Sequence, residues 1–206
     1  MRSKFLYGFA LLSACSWSCI NPVYPAKPTL YLTKEFKDFT DFKAGSYWIY
    51  EESKNSANQD SIAVIFHNQL ISPSIDGEDG PGPFEEFTDT LSSSIDGKFM
   101  ANADGMENDY HVQYTNWPNY ETTYFTLYNG VLQFDDWGNM TLTDSSENLN
   151  VAGKQYQSVK EFTVNPQGGY NVVSPITHIY WARNVGVVEK TISGTTWQLI
   201  RYHVIQ

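Results

Sequence analysis

Several patterns that would indicate catalysis or metal binding are missing from this chain of 206 residues. No two of its histidines lie within four positions of each other, which excludes the usual spacings of a zinc site. Neither a glycine-rich nucleotide-binding motif nor a G-x-S-x-G nucleophile motif is present. The adjacent carboxylates of Asp135 and Asp136 would point to opposite faces of a strand, so they cannot flank one glycosidic bond. The sequence therefore predicts a protein that is not an enzyme and has no metal or cofactor.

Basic residues are also scarce, with 13 Lys and Arg against 23 Asp and Glu and a formal net charge of −10. Such a chain repels nucleic acid and anionic lipid headgroups, so we predict no nucleic-acid partner. Two acidic clusters, at residues 76–79 and 104–109, lie in predicted loops. Calcium favours several oxygen ligands from flexible loops, but neither cluster has the EF-hand spacing. Whether these loops bind calcium is left open by the sequence.

A hydrophobic run long enough to span a membrane is missing as well. The apolar run Phe5–Leu12 is too short for a spanning helix, which needs about 20 residues. Arg2 and Lys4 precede it and small residues come after it, which is the pattern of a secretory signal peptide. The next residues, Leu12-Ser13-Ala14-Cys15, resemble the lipobox of bacterial lipoproteins. This resemblance implies cleavage before Cys15 and a membrane anchor formed by lipid on its thiol.

These features divide the chain into a signal peptide at 1–14, a lipidated tether at 15–33 and a single β-rich domain at 34–206. Cys19 lies in the tether and has no intrachain partner once Cys15 is lipidated, which leaves open a disulfide between molecules. In related lipoproteins an acidic cluster after the lipidated cysteine marks export to the cell surface. No acidic residue occurs here before Glu35, so we predict an outer-membrane lipoprotein that faces the periplasm.

The domain itself has the alternating pattern of an all-β protein. Phe36, Phe39 and Phe42 recur at a spacing of three, which predicts a short N-terminal helix that plugs one end of the core. After residue 46 the period becomes two, with Trp48 and Tyr50 on one face of a strand. We predict an antiparallel meander of about ten strands, forming a barrel, a half-barrel or a two-layer sandwich.

Glycine-centred dipeptides separate the predicted strands. An Asn-Gly or Asp-Gly pair favours the type I′ hairpin turn, in which both central residues need a positive φ. The predicted turns are at Asp96-Gly97, Asn129-Gly130, Gly153-Lys154 and Ser193-Gly194. In the second hairpin this predicts that Tyr128 faces Val131.

The tryptophans fall into two groups. Those within strand patterns are predicted to be core residues, and they are Trp48, Trp181 and Trp197. A second group lies in or beside a predicted loop and comprises Trp117, Tyr120 and Trp137. Flat rings in loops stack on sugars and on apolar ligands, so we predict that this second group lines any binding surface. The alternative is that these rings also belong to the core.

Three short motifs resemble those of small, uncharacterised envelope lipoproteins of the Bacteroidota. They are the G-x-Y-W-x-Y pattern at 45–50, the V-x-G-K-x-Y pattern at 151–156 and the Y-W-A-x-x-V-G pattern at 180–186. The resemblance implies an envelope location and a β-rich fold, and it implies no chemistry.

We therefore expect a lipid-anchored, non-enzymatic envelope protein that binds a partner protein or a small ligand. A glycan-binding accessory lipoprotein is the alternative, and a glycoside hydrolase is the third hypothesis. Several exposed rings on a concave surface would favour glycan binding, whereas two carboxylates in one pocket would favour hydrolysis.

Overall fold

The computed structural model describes residues 26–73, 82–106, 109–114, 122–128, 131–134, 140–164 and 176–206. Within these ranges the chain forms one helix, α1 (Lys34–Thr40), and twelve strands. The strands are β1 (Tyr47–Glu52), β2 (Asn55–Ser72), β3 (Phe84–Ser93), β4 (Gly97–Asp104), β5 (Asp109–Tyr114), β6 (Thr122–Tyr128), β7 (Val131–Phe134), β8 (Met140–Val151), β9 (Lys154–Val164), β10 (Ile176–Ala182), β11 (Gly186–Ile192) and β12 (Thr195–His203).

The strands form one antiparallel meander in which each strand pairs with its neighbours in sequence. β1 also pairs with β12, which brings the two ends of the sheet together as in a barrel. The weakest seam lies between β7 and β8, which share the single residue pair Phe134 and Met140. The predicted all-β antiparallel meander is confirmed, with twelve strands instead of about ten.

Helix α1 closes one end of the barrel. Thr33 caps its N-terminus, where the hydroxyl accepts a hydrogen bond of 3.2 Å from the Phe36 backbone N–H. A helix of seven residues is not stable alone, so its stability comes from packing. Phe36, Phe39 and Phe42 are all buried in the core, although Phe42 lies beyond the helix C-cap at Asp41. The predicted plug is confirmed, and its helix ends at Thr40, two residues before the last phenylalanine of the pattern.

Two of the three motifs support this plug. In the first, Trp48 packs edge-on against Phe42 with ring centroids 5.1 Å apart. In the third, the Trp181 indole N–H donates a 2.9 Å hydrogen bond to the carbonyl of Phe39. Gly186 has a φ of +96°, and a Cβ there would lie 3.3 Å from Trp48 Nε1, so a larger residue would be strained.

Two of the predicted hairpin turns are of type I′. Ser193 and Gly194 have φ values of +50° and +79°, as the type requires. The turn after β8 is also of this type, but it uses Ala152 and Gly153, one residue earlier than predicted.

The type I′ prediction at Asp96-Gly97 is wrong. Ser93 pairs with Gly97, so the loop between β3 and β4 has three residues and only Gly97 has a positive φ, +77°. Such loops place the left-handed residue at the start of the second strand. The Asn129-Gly130 turn lies outside the described residues, but Tyr128 pairs with Val131, so the predicted register is confirmed.

The predicted core tryptophans lie where expected: Trp48 and Trp181 are buried, and Trp197 is half-buried against the same cluster. The packed domain extends ahead of α1, because Leu30 pairs with Phe84 and Leu32 is buried. In the part of the chain that the structure describes, no helix is both long and apolar enough to cross a membrane.

Candidate functional site

The barrel interior contains a cavity of about 110 Å³ above the helical plug. Its wall is mostly apolar, and side chains of β1, β2, β3, β4, β5, β10 and β11 contribute to it. Among the described residues six aromatic side chains line it, and they are Phe42, Trp48, Tyr50, Phe99, Tyr110 and Trp181. The Tyr110 and Trp181 rings meet edge to face, with centroids 5.9 Å apart. A concave, mostly apolar space with a few polar groups in its wall is the usual form of a small-molecule site.

Besides two tyrosines, the described part of the cavity wall contains two ionisable side chains, Asp89 and Lys190. Asp89 is on β3 and Lys190 is on β11, which are four strands apart around the sheet. Both side chains are almost fully buried, with exposed fractions of 2% and 11%. A buried charge is costly unless it has a partner, so the partners of these two groups define what the cavity can bind.

A β-bulge in β2 brings a histidine to Asp89. The sheet register shifts between Val64 and Phe66, and His67 becomes the residue directly opposite Asp89. Without the extra residue Ile65, strict alternation would turn Phe66 inward and His67 to solvent. With the bulge Phe66 is exposed, and Nδ1 of His67 lies 2.7 Å from Oδ1 of Asp89.

The segment between α1 and β1 fixes the proton arrangement of this pair. Lys43 Nζ lies 3.2 Å from His67 Nε2 and 2.6 Å from Oδ1 of Asp41. An ammonium group can only donate, so His67 Nε2 accepts and its Nδ1 carries the proton. Nδ1–H therefore donates to Oδ1 of Asp89.

Burial dominates the ionisation of both members of the pair. It raises the pKa of the Asp89 carboxyl to about 8, and the Asp41 carboxylate acts in the same direction while Lys43 opposes it. Burial also lowers the pKa of His67, and the charge of Lys43 lowers it further. At neutral pH His67 is thus neutral and most Asp89 side chains hold a proton. Because Nδ1–H of His67 occupies Oδ1, that proton resides on Oδ2.

Lys190 belongs to a second buried cluster. Its Nζ lies 3.3 Å from Oδ2 of Asp60 and 4.7 Å from the centroid of the Tyr50 ring. The other carboxylate oxygen of Asp60 accepts hydrogen bonds from the hydroxyls of Ser93, at 2.8 Å, and Ser94, at 3.2 Å. Asp60 is thus satisfied on both oxygens, and it compensates the charge of Lys190.

Asp96 lies in the electrostatic field of the same cluster. Burial raises the pKa of its carboxyl, Lys190 lowers it, and Asp60 raises it. These residues come from β2, β11 and the loop between β3 and β4, at the end of the barrel opposite α1. The cavity therefore lies between an aromatic plug and a buried polar cluster.

A second, polar depression of about 480 Å³ lies beside α1 on the surface. Its charged side chains already bind one another, because Asp38 accepts hydrogen bonds from both Lys34 and Arg183. These partners hold the pKa of Asp38 below its usual value, although burial opposes them. Of its two rings, Tyr202 is exposed but Tyr156 is buried. The described part of this depression thus lacks the several exposed rings that would favour glycan binding.

Most of the residues that the sequence singled out for function are not tested by the structure. The predicted ligand-binding group Trp117, Tyr120 and Trp137, the lipidation residue Cys15 and residues 76–79 all lie outside the described residues. In the other acidic loop, the described Asp104 accepts a 2.9 Å hydrogen bond from the backbone N–H of Met106. Across the ranges that the structure describes, no group of three or more His, Cys, Asp or Glu could hold a metal ion.

Sequence reasoning missed both buried clusters, although alternation offered a signal for their acidic members. Asp89 shares a strand face with Phe87 and Leu91, and Asp60 shares one with Ile62 and Val64. A carboxylate on an otherwise apolar strand face is rare unless it is paired or functional. His67 gave no such signal, because the bulge that turns it inward breaks the alternation.

No family model matches the chain, and neither a curated protein nor a solved structure was found to match it. The function is therefore inferred from the geometry of the cavity.

Proposed function

We propose that this protein is a lipid-anchored envelope protein that binds a small, largely apolar molecule inside its barrel. The observation that carries the proposal is the cavity of about 110 Å³ in the barrel, which six of the described aromatic side chains line. Well-packed cores contain few spaces larger than one water molecule, so a cavity of this size costs stability. A ligand that fills it restores the lost contacts, which favours a small ligand over a partner protein.

The hydrolase hypothesis receives no such support. Among the described residues that line the cavity, Asp89 is the carboxylate, whereas glycoside hydrolysis uses a pair. The Asp60 carboxylate is buried, is hydrogen-bonded to Ser93 and Lys190, and is not part of the described lining.

Xenon tests whether the cavity admits a guest, because it enters dry apolar cavities of similar size. We expect xenon NMR to detect binding to the wild-type protein. In the variant V64F the added ring should fill the cavity and abolish this binding, since Val64 lines the wall and is 2% exposed.

The matched control is V151F, because Val151 is equally buried but lies outside the cavity lining. It should retain xenon binding and lose about 1–3 kcal/mol through overpacking. V64F should lose less stability than V151F, because the cavity can accommodate its added ring. Absence of xenon binding to the wild-type protein would refute the proposed function.

The anchor is the second part of the proposal. It is supported by the resemblance of residues 12–15 to a lipobox and by the wider resemblance to Bacteroidota lipoproteins. The absence of an acidic residue between Cys15 and Glu35 supports an outer-membrane protein that faces the periplasm. A periplasmic position would give the barrel access to small molecules that cross the outer membrane.

We expect C15S to remove the lipid and release the protein from the membrane fraction, because the thiol is the acceptor in lipoprotein maturation. Fractionation after a high-salt wash measures this directly. C19S is the control, and it should pellet with the membranes as the wild-type protein does. A C15S protein that still pellets would contradict the lipobox interpretation.

A further inference from the structure

One carboxyl oxygen of Asp89 has no hydrogen-bond partner among the described residues. Oδ1 accepts from His67, but Oδ2 makes no hydrogen bond or ion pair with any described residue. The Asp89 side chain is 2% exposed and lies in the cavity wall. Buried polar atoms without a partner are rare in native proteins, and each one needs an explanation. A ligand in the cavity that interacts with Oδ2 supplies that explanation.

The rest of the wall indicates the charge of this ligand. The face of an aromatic ring carries partial negative charge, so a cavity lined by several rings favours a cation over an anion. Lys190 already demonstrates the effect, because its ammonium group lies over the ring of Tyr50. Five further rings surround the same space, and they are those of Phe42, Trp48, Phe99, Tyr110 and Trp181.

Lys190 does not exclude a second cation. Its charge is compensated by Asp60 at 3.3 Å, and it lies on β11, four strands around the sheet from the β3 wall that carries Asp89. The cavity volume of about 110 Å³ limits the guest to a few heavy atoms. Methyl or short alkyl groups on such a guest would pack against the rings.

We propose that the cavity selects a small organic ammonium ion, held between the aromatic rings with its charge against Oδ2 of Asp89. This inference rests on the proposed function and specifies its ligand class. Ammonium groups that carry alkyl substituents combine an apolar surface with a diffuse positive charge, and rings with a nearby carboxylate match both.

Binding of such a cation must be coupled to proton release. The pKa of Asp89 is raised to about 8, so below that pH the carboxyl has to lose its proton when the cation binds. Affinity should therefore fall about tenfold per unit as the pH decreases below about 8, and it should level off above it.

The other groups around Asp89 do not reverse this dependence. His67 faces it from β2, Asp41 and Lys43 from the segment before β1, Tyr110 from β5, and Lys190 from β11. The residue opposite Asp89 on β4 is Ala101, which does not titrate. Protonation of His67 at lower pH would add a positive charge and weaken cation binding further.

The test uses tetramethylammonium, whose charge does not change with pH, and tert-butanol as a neutral probe of similar shape. Saturation-transfer NMR measures binding of each probe to the full domain at pH 7 and pH 9. We expect tetramethylammonium to bind more tightly than tert-butanol, and more tightly at pH 9 than at pH 7. D89N should weaken tetramethylammonium binding about tenfold or more and remove its pH dependence, while tert-butanol binding changes little.

The amide of D89N keeps the size of Asp89 and can still accept from His67, so the fold is expected to persist. E85Q is the matched control. Glu85 is a buried carboxylate on the same strand as Asp89, but it forms an ion pair with Lys37 and does not line the cavity. E85Q should leave tetramethylammonium binding unchanged.

Three outcomes would overturn the inference. The first is equal tetramethylammonium binding by D89N and the wild-type protein, and the second is an affinity that does not depend on pH. The third is binding of tert-butanol and xenon without tetramethylammonium, which would leave the proposed function intact and refute only the cationic ligand. Absence of binding by all three probes would refute both.

Discussion

Replacing Phe36 with alanine is expected to lower the free energy of unfolding by about 3–5 kcal/mol. The Phe36 side chain is completely buried where α1 meets the barrel, and its loss would leave a void that rigid neighbouring strands cannot fill. For a chain of this length, the melting temperature should fall by on the order of 10 °C. Urea unfolding followed by circular dichroism measures the change.

F66A is the control for Phe36, since it deletes the same atoms from a side chain that is 55% exposed on β2. We expect F66A to change stability by less than about 0.5 kcal/mol. A loss in F36A as small as that expected for F66A would show that α1 does not stabilise the barrel. The helix would then not be the plug that defines the lower end of the cavity.

The plug was predictable because its signal is local. The spacing of Phe36, Phe39 and Phe42 indicates a single apolar face regardless of what the rest of the chain does. Alternation of apolar side chains is equally local, and it placed Trp48 and Tyr50 correctly in the interior. A short loop allows several turn geometries, so the turn at Asp96-Gly97 was predicted incorrectly from the same kind of dipeptide that succeeded at Ser193-Gly194.

The candidate site was not predictable in the same way, because it depends on the register between strands. His67 and Asp89 are 22 residues apart, and they meet only because one residue of β2 is bulged out. Asp60 and Lys190 are 130 residues apart and belong to strands that come together when β1 pairs with β12. Sequence spacing carries no information about either contact.

The two buried clusters, one around Asp60 and one around Asp89, differ in how many of their carboxylate oxygens have hydrogen-bond partners. Asp60 has hydrogen-bond partners on both carboxylate oxygens, and Lys190 has both Asp60 and a ring. Among the described residues Asp89 has a partner on Oδ1 only, and its side chain lies in the cavity wall. We therefore assign the Asp60 cluster to structure and Asp89 to ligand binding.

That assignment predicts a large stability loss for D60A. The change would leave the Lys190 ammonium buried without its carboxylate, and breaking a buried pair from one side costs about 3–5 kcal/mol. It would also remove the acceptor of the Ser93 and Ser94 hydroxyls. Chemical denaturation at neutral pH measures the loss, which should be similar in size to that of F36A.

The double variant D60A/K190M separates the unpaired charge from the lost hydrogen bonds. Methionine keeps most of the length of the lysine side chain without its charge, so the double variant should be more stable than D60A alone. The single variant K190M should lose less stability than D60A, because Asp60 would keep its hydrogen bonds from the two serine hydroxyls. If D60A/K190M proves as unstable as D60A, the loss comes from the serine hydrogen bonds and packing. In that case the ion pair would not be what stabilises this end of the barrel.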